Sequence, residues 1–151
     1  IREFGFNALL SLRLEKGFGI WSAEFTQGYT PGMTGMDRWI DWEKEQFIGQ
    51  AAAIKERDGN GPAQKLVMLE IDADDADASG YEPVWDNGSL VGFVTSGGYG
   101  HTLKKSLAMA LVNNDLANEN QRLKVHVVGV EKDATVIQAS PYDPEGKVMR
   151  V

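Results

Sequence analysis

The spacing of apolar residues changes character at Pro62, and that change constrains the fold more than any other feature of the chain. Beyond it come short runs suited to strands: QKLVMLEID at 64–72, PVWDNGSLVGFVTSGG at 83–98, SLAMALV at 106–112, LKVHVVGV at 123–130 and ATVIQAS at 134–140. Asn87-Gly88 separates two apolar runs, the strongest short-range signal for a two-residue hairpin turn, in which both central residues need positive φ. DADDADASG at 72–80 reads as an acidic loop. Several short strands with few helices predict an antiparallel barrel or sandwich.

Upstream of Pro62 the pattern is helical or irregular. In REFGFNALLSLRLEK (2–16), Phe6, Leu9, Leu10 and Arg13 recur at i, i+3, i+4 and i+7, which predicts a helix with that face buried and Gly17 as its stop. Residues 17–38 are rich in Gly and Thr and predict turns. WIDW at 39–42 alternates apolar and polar and predicts a short strand. A second helix is expected from about 45 to 57, ended by Asp58-Gly59. The expected organisation is therefore a helical and irregular part at 1–62 and a β module at 63–151.

Composition narrows the function classes. With 15 basic against 22 acidic residues, a net charge of -7 argues against a broad nucleic-acid footprint. No apolar run approaches the roughly 20 residues of a bilayer span, and residues 1–16 carry charges throughout, unlike a signal peptide. Cysteine is absent, so disulfides, thiolate chemistry and a cysteine zinc site are excluded. A cytoplasmic or organelle-matrix location is the default expectation. The chain begins at Ile1, directly in helical sequence, and is expected to be the tail of one domain plus the whole of the next.

Candidate chemistry is sparse. Asp72, Asp74, Asp75 and Asp77 lack the glycine and terminal glutamate of a calcium loop and read as a solvated loop. His101 and His126 are far apart and have no cysteine partners, which makes a metal site from them improbable. SGGYGHTLKK (96–105) does not match the phosphate-loop pattern and is expected to be a tight turn between strands, although Lys104 and Lys105 could attract an acidic ligand. Arg13 stands out, because a charge on a face expected to be buried needs a partner. Either it pairs internally, with Glu15 or Glu24, or it meets a ligand carboxylate. Trp21, Trp39 and Trp42 flank the irregular segment and can anchor packing or stack on a flat ligand.

Three stretches, in order and at the right intervals, carry a family resemblance. ALLSLRLEKGFGIWS (8–22), FIGQAA (47–52) and VGFVTSGGYGHTLKKSLAMALV (91–112) resemble segments of the glycine-cleavage T-protein, or aminomethyltransferase, family, and the match covers essentially the whole chain. The resemblance implies an α+β fold: the C-terminal end of a tetrahydrofolate-binding α+β domain at 1–62, followed by a small antiparallel β-barrel at 63–151. It implies transfer of a one-carbon unit from an aminomethyl or N-methylamine donor to tetrahydrofolate. It also implies folate-binding roles for Arg13 and Trp21, and none of the catalytic residues.

Trp21, where the free-standing family members usually have tyrosine, leans toward the relatives fused to an FAD domain, the dimethylglycine and sarcosine dehydrogenases. Demethylases of methylated sulfur compounds use the same scaffold. A flavin dehydrogenase domain or a lipoyl carrier protein is the partner this implies, and a mitochondrial matrix location if the source is eukaryotic. A non-catalytic docking module is the alternative. The sequence departs from the family where GMTGM (32–36) lacks the usual glutamate and where Gly100-His101 replaces Ser-Pro. The family's essential aspartate belongs to the preceding part of the folate domain and has no counterpart here, so the chain alone is expected to be catalytically incomplete.

Overall fold

The computed structural model describes residues 3–150. Six strands close into an antiparallel barrel in the order β1-β4-β3-β2-β5-β6. Their ranges are β1 Gln64–Ile71, β2 Pro83–Asp86, β3 Ser89–Gly100, β4 Lys105–Asn113, β5 Arg122–Val127 and β6 Val130–Ile137. The expected barrel is the observed one, and closure leaves it no open edge. Asn87 and Gly88 turn β2 into β3 with φ of 47° and 79°, as a type I′ hairpin requires. Residues 101–104 make the tight connection from β3 to β4 expected of the glycine-rich stretch.

Two apolar layers hold the structure. Inward side chains of alternate strand positions fill the barrel: Val67, Leu69 and Ile71 of β1, Ala108, Ala110 and Val112 of β4, and Leu123, Val125 and Val127 of β5. A second cluster joins Leu14 to the outer wall at Met68, Leu107 and Met109. This explains two different strand patterns. On β5, Arg122 and Lys124 are exposed and alternate with core residues, whereas β4 is buried continuously from Ser106 to Val112 because its outer face is covered too. In the acidic loop, Ala73, Ala76 and Ala78 pack against the barrel core while Asp72, Asp74, Asp75 and Asp77 face solvent. Lys132 holds the Asp75 carboxyl below its usual range through a 2.7 Å contact.

The first helix, α1, spans Phe6–Glu15, within the expected range; Arg2 lies outside the described residues. It ends in a Schellman arrangement, Gly17 N donating to Leu14 O (3.0 Å) and Phe18 N to Arg13 O (2.8 Å). Gly17 has φ +71°, and a Cβ there would lie 1.9 Å from Ala139 O. The expected buried face is corrected by the structure: Phe6 is 71% exposed and Leu9 is also exposed, whereas Arg13, Leu14 and Glu15 are buried. The helix meets the barrel with its C-terminal turn, so burial follows position along the axis and not one side of it.

Two further expectations need correction. WIDW is not a strand: Trp39 closes a single 3-10 turn, Met36–Trp39, and none of the described strands includes Ile40–Trp42. Trp42 packs instead on the Arg57 guanidinium, 4.4 Å from its ring centroid. The second helix begins later than expected because Gly49, at φ +87°, interrupts the backbone. A short helix, α2 (Pro31–Thr34), precedes it, with Thr30 as N-cap, and the longer α3 spans Gln50–Asp58. Thr30 Oγ1 donates to Glu56 of α3 at 2.8 Å, which ties the two helices together. No described helix is long and apolar enough to cross a membrane.

Candidate functional site

The most unusual chemistry lies where α1 and the following turn meet the barrel wall. Glu24 is completely buried. Its Oε2 accepts from Ile20 N at 2.8 Å and from Arg13 Nη1 at 3.3 Å. Its Oε1 accepts from Thr95 Oγ1 at 2.7 Å and from Ser96 Oγ. A carboxylate has about four lone-pair sites, and all four are engaged. Adjacent strand residues ordinarily face opposite ways. Here a register shift between Val94 and Ser96 makes a β-bulge, which lets both hydroxyls reach one oxygen.

Arg13 is 9% exposed. Its Nη1 also approaches Phe18 O (3.4 Å) and Met109 Sδ (3.8 Å). Arg13 Nε is buried and has no hydrogen-bond partner among the described residues. Of the two partners expected for an internal pair, Glu24 is the one that meets Arg13. Glu15 serves elsewhere: 1% exposed, it accepts from Thr102 N, Thr102 Oγ1 and Leu103 N at 2.7–2.8 Å.

Trp21 lies in the turn between Ile20 and Glu24 and is 81% exposed. Phe18, Met36 and Trp39 of the same irregular segment are exposed as well. Around α1 and this turn, Arg13, Glu15 and Glu24 face inward while Phe18 and Trp21 face outward, the reverse of ordinary burial. Beside this face is a cavity of about 170 Å³ lined by Gly19, Phe25, Met36, Arg38, Met68 and Met109, among others. That is below the roughly 300–1,000 Å³ of pockets that enclose a small molecule.

The remaining candidates stay apart from this site. His126 packs on Trp85 at 5.5 Å and approaches Glu131, while His101 sits edge-on to Tyr99 at the β3–β4 turn. No group of three or more metal-ligating side chains is assembled among the described residues. Lys104 and Lys105 border an open cleft of about 900 Å³ that is also lined by Glu70, Asp72, Asp74 and Asp133, so its charge is mixed. Thr95, Ser96 and the role of Glu15 were not read from the sequence. The available signal was two adjacent hydroxyls inside an otherwise apolar strand.

Residues 64–143 match the family model described as the glycine cleavage T-protein C-terminal barrel domain. Dimethylglycine dehydrogenase, mitochondrial, of Rattus norvegicus is 37% identical over 138 residues, covering 91% of this chain and 16% of the relative. Aminomethyltransferase of Synechocystis is 34% identical over 144 residues, covering 95% of this chain and 38% of the relative. Among solved structures, glycine cleavage system aminomethyltransferase T from Bartonella henselae superposes with a TM-score of 0.84 at 27% identity. That match covers 93% of this chain and 39% of the other. The chain therefore spans well under half the length of these relatives.

Proposed function

The chain belongs to the glycine cleavage T-protein family, and from that premise we propose that it is the C-terminal part of a folate-dependent one-carbon transferase. Residues 1–62 form the end of the folate-binding domain in this reading, and 63–151 its barrel. The reaction moves a one-carbon unit from an aminomethyl or N-methylamine donor to tetrahydrofolate. Trp21 and the dimethylglycine dehydrogenase relatives favour a donor of the dimethylglycine or sarcosine type, with FAD carried by a separate domain. A flavin dehydrogenase domain or a lipoyl carrier is the corresponding partner, and the cytoplasm or mitochondrial matrix the compartment.

One observation carries this reading: a buried arginine with an uncommitted donor stands behind an exposed aromatic turn. Arg13 Nε has no partner among the described residues, which suits a ligand carboxylate. Trp21 and Trp39 offer flat apolar surface suited to a ring system. Tetrahydrofolate has both groups, a glutamate tail and a planar pterin. The residues present thus fit part of the cofactor, and Arg13 would bind and orient it while the aromatic face excludes water. Tetrahydrofolate, when bound, would supply the acceptor for the one-carbon unit.

The cavity between the irregular segment and the barrel wall is too small to enclose such a ligand, so in this reading the remaining walls come from further polypeptide, for which exposed Phe6, Leu9, Phe18 and Trp39 supply apolar surface. Isothermal titration with tetrahydrofolate tests the proposal. The 151-residue chain should bind at least tenfold more weakly than the whole protein that contains it. Equal binding would contradict the shared-pocket reading, and no binding by the whole protein would favour a docking module without folate chemistry.

A further inference from the structure

Building on the folate reading above, we propose that Glu24 is a positioning residue through which the barrel fixes the placement of Arg13 and of the turn that carries Trp21. The two carboxylate oxygens divide the work. Oε1 takes the Thr95 and Ser96 hydroxyls and so belongs to the barrel. Oε2 takes Arg13 Nη1 and Ile20 N and so belongs to the ligand side. No other described residue joins α1, the 17–25 turn and β3 through one functional group.

The turn is held from both of its ends by this side chain. Ala23 N, Glu24 N and Phe25 N all approach Ile20 O at 3.0–3.3 Å, while the Glu24 carboxylate returns to Ile20 N. Trp21 lies within that closed loop, between Ile20 and Glu24. The guanidinium of Arg13 is held to Glu24 by one terminal nitrogen, and its Nε has no hydrogen-bond partner among the described residues. Packing alone gives no reason for the arrangement, since apolar residues of similar volume often replace a buried ion pair without loss of stability. A carboxylate that aims a second charged group does give one. The bulge at Thr95 then has a purpose, because without it only one of the two hydroxyls would reach Oε1.

The test is a tetrahydrofolate titration of the whole protein as wild type, Glu24→Gln, Arg13→Ala and the double variant. Glu24→Gln should weaken binding about tenfold, the scale of one charge-assisted bond. The double variant should lose less than the sum of the two single losses, because part of the Glu24 effect passes through Arg13 and the rest through the Trp21 turn; a residue with no positioning role toward Arg13 would give additive losses. Unchanged affinity in Glu24→Gln, or additivity in the double variant, overturns the proposal. If Glu24→Gln does not fold, Thr95→Val with Ser96→Ala removes the barrel anchors while keeping both charges, and should weaken binding in the same way. A wild-type protein that does not bind overturns the folate reading itself. In that event hydrogen exchange decides the positioning role: amides of 20–25 should exchange faster in the Thr95→Val, Ser96→Ala protein, and equal rates overturn it.

Discussion

Glu15 reaches from the last turn of α1 to Thr102, whose backbone N–H and hydroxyl both donate to its carboxylate, at 2.7 and 2.8 Å. Leu103 N adds a third bond at 2.8 Å. Among the described residues no cation pairs with this buried carboxylate, and three hydrogen-bond donors of the β3–β4 turn hold it. Removing it strands two backbone donors at a partly buried site. Glu15→Ala is expected to destabilise the protein by about 2–4 kcal/mol. Glu15→Gln keeps one acceptor and should cost less. Denaturant midpoints at constant m-value check both.

Gly17 is irreplaceable for two separate reasons, and Gly88 separates them. Both have positive φ, +71° and +79°, but a Cβ on Gly17 would strike Ala139 O whereas nothing lies within 4 Å of one on Gly88. Gly88→Ala should cost only the left-handed strain, about 1 kcal/mol. Gly17→Ala must also part α1 from the segment after β6 and should cost at least about 3 kcal/mol. For a chain of this size that difference corresponds to roughly 4–8 °C in melting temperature. Equal shifts in the two variants would show that the contact at Ala139 yields easily.

The sequence made the barrel legible because its strands are short apolar runs bounded by turn residues, and Asn87-Gly88 marks the β2–β3 hairpin directly. The 1–62 part was harder for a physical reason. Its order comes from polar side chains bonded to another element: Glu15 to Thr102, Glu24 to Thr95 and Ser96, Thr30 to Glu56. Such pairs leave no periodic trace. Apolar spacing on α1 pointed Phe6 and Leu9 inward, yet they face outward, because periodicity marks a face to be covered without saying what covers it. Arg13 was conspicuous as a charge amid apolar residues, and Glu24 was one of its two candidate partners, but spacing carried no information on the β3 bulge that completes the cluster.

The segment after β6 is fastened to α1 by a pH-dependent contact. Lys16 Nζ meets Asp143 Oδ2 at 3.2 Å, and Tyr142 N donates to Glu15 O at 2.9 Å. Burial pushes the Asp143 carboxyl up, but the Lys16 ammonium and the Lys147 and Val148 amides outweigh it and hold the carboxyl below its ordinary range. A depressed folded value means the contribution is complete above the unfolded value, near 3.9, and fades as pH falls through the folded value. Lys16→Met should therefore be less stable than wild type at pH 6, with the difference shrinking below about pH 4. Urea midpoints of both proteins across that range check it. A difference independent of pH would assign the contribution of Lys16 to packing of its methylenes.

Arg13→Ala is the substitution that divides structure from ligand contact. It removes the cation that lies 3.3 Å from a completely buried carboxylate, leaving Glu24 with Ile20 N, Thr95 and Ser96. Breaking a buried pair from one side costs about 3–5 kcal/mol, and the three surviving donors place this case at or below the lower end. A folate carboxylate bonded to the guanidinium would add a loss of about 1.5–3 kcal/mol in binding, or roughly 10- to 150-fold in Kd. Arg13→Lys separates the two effects further, because an ammonium can still neutralise Glu24 but cannot offer an Nε donor in the same plane. Arg13→Lys should thus recover much of the stability and little of the affinity. Calorimetric titration with tetrahydrofolate alongside denaturant unfolding checks it, and stability loss with unchanged folate affinity in both variants would leave Arg13 as the internal partner of Glu24 and nothing more.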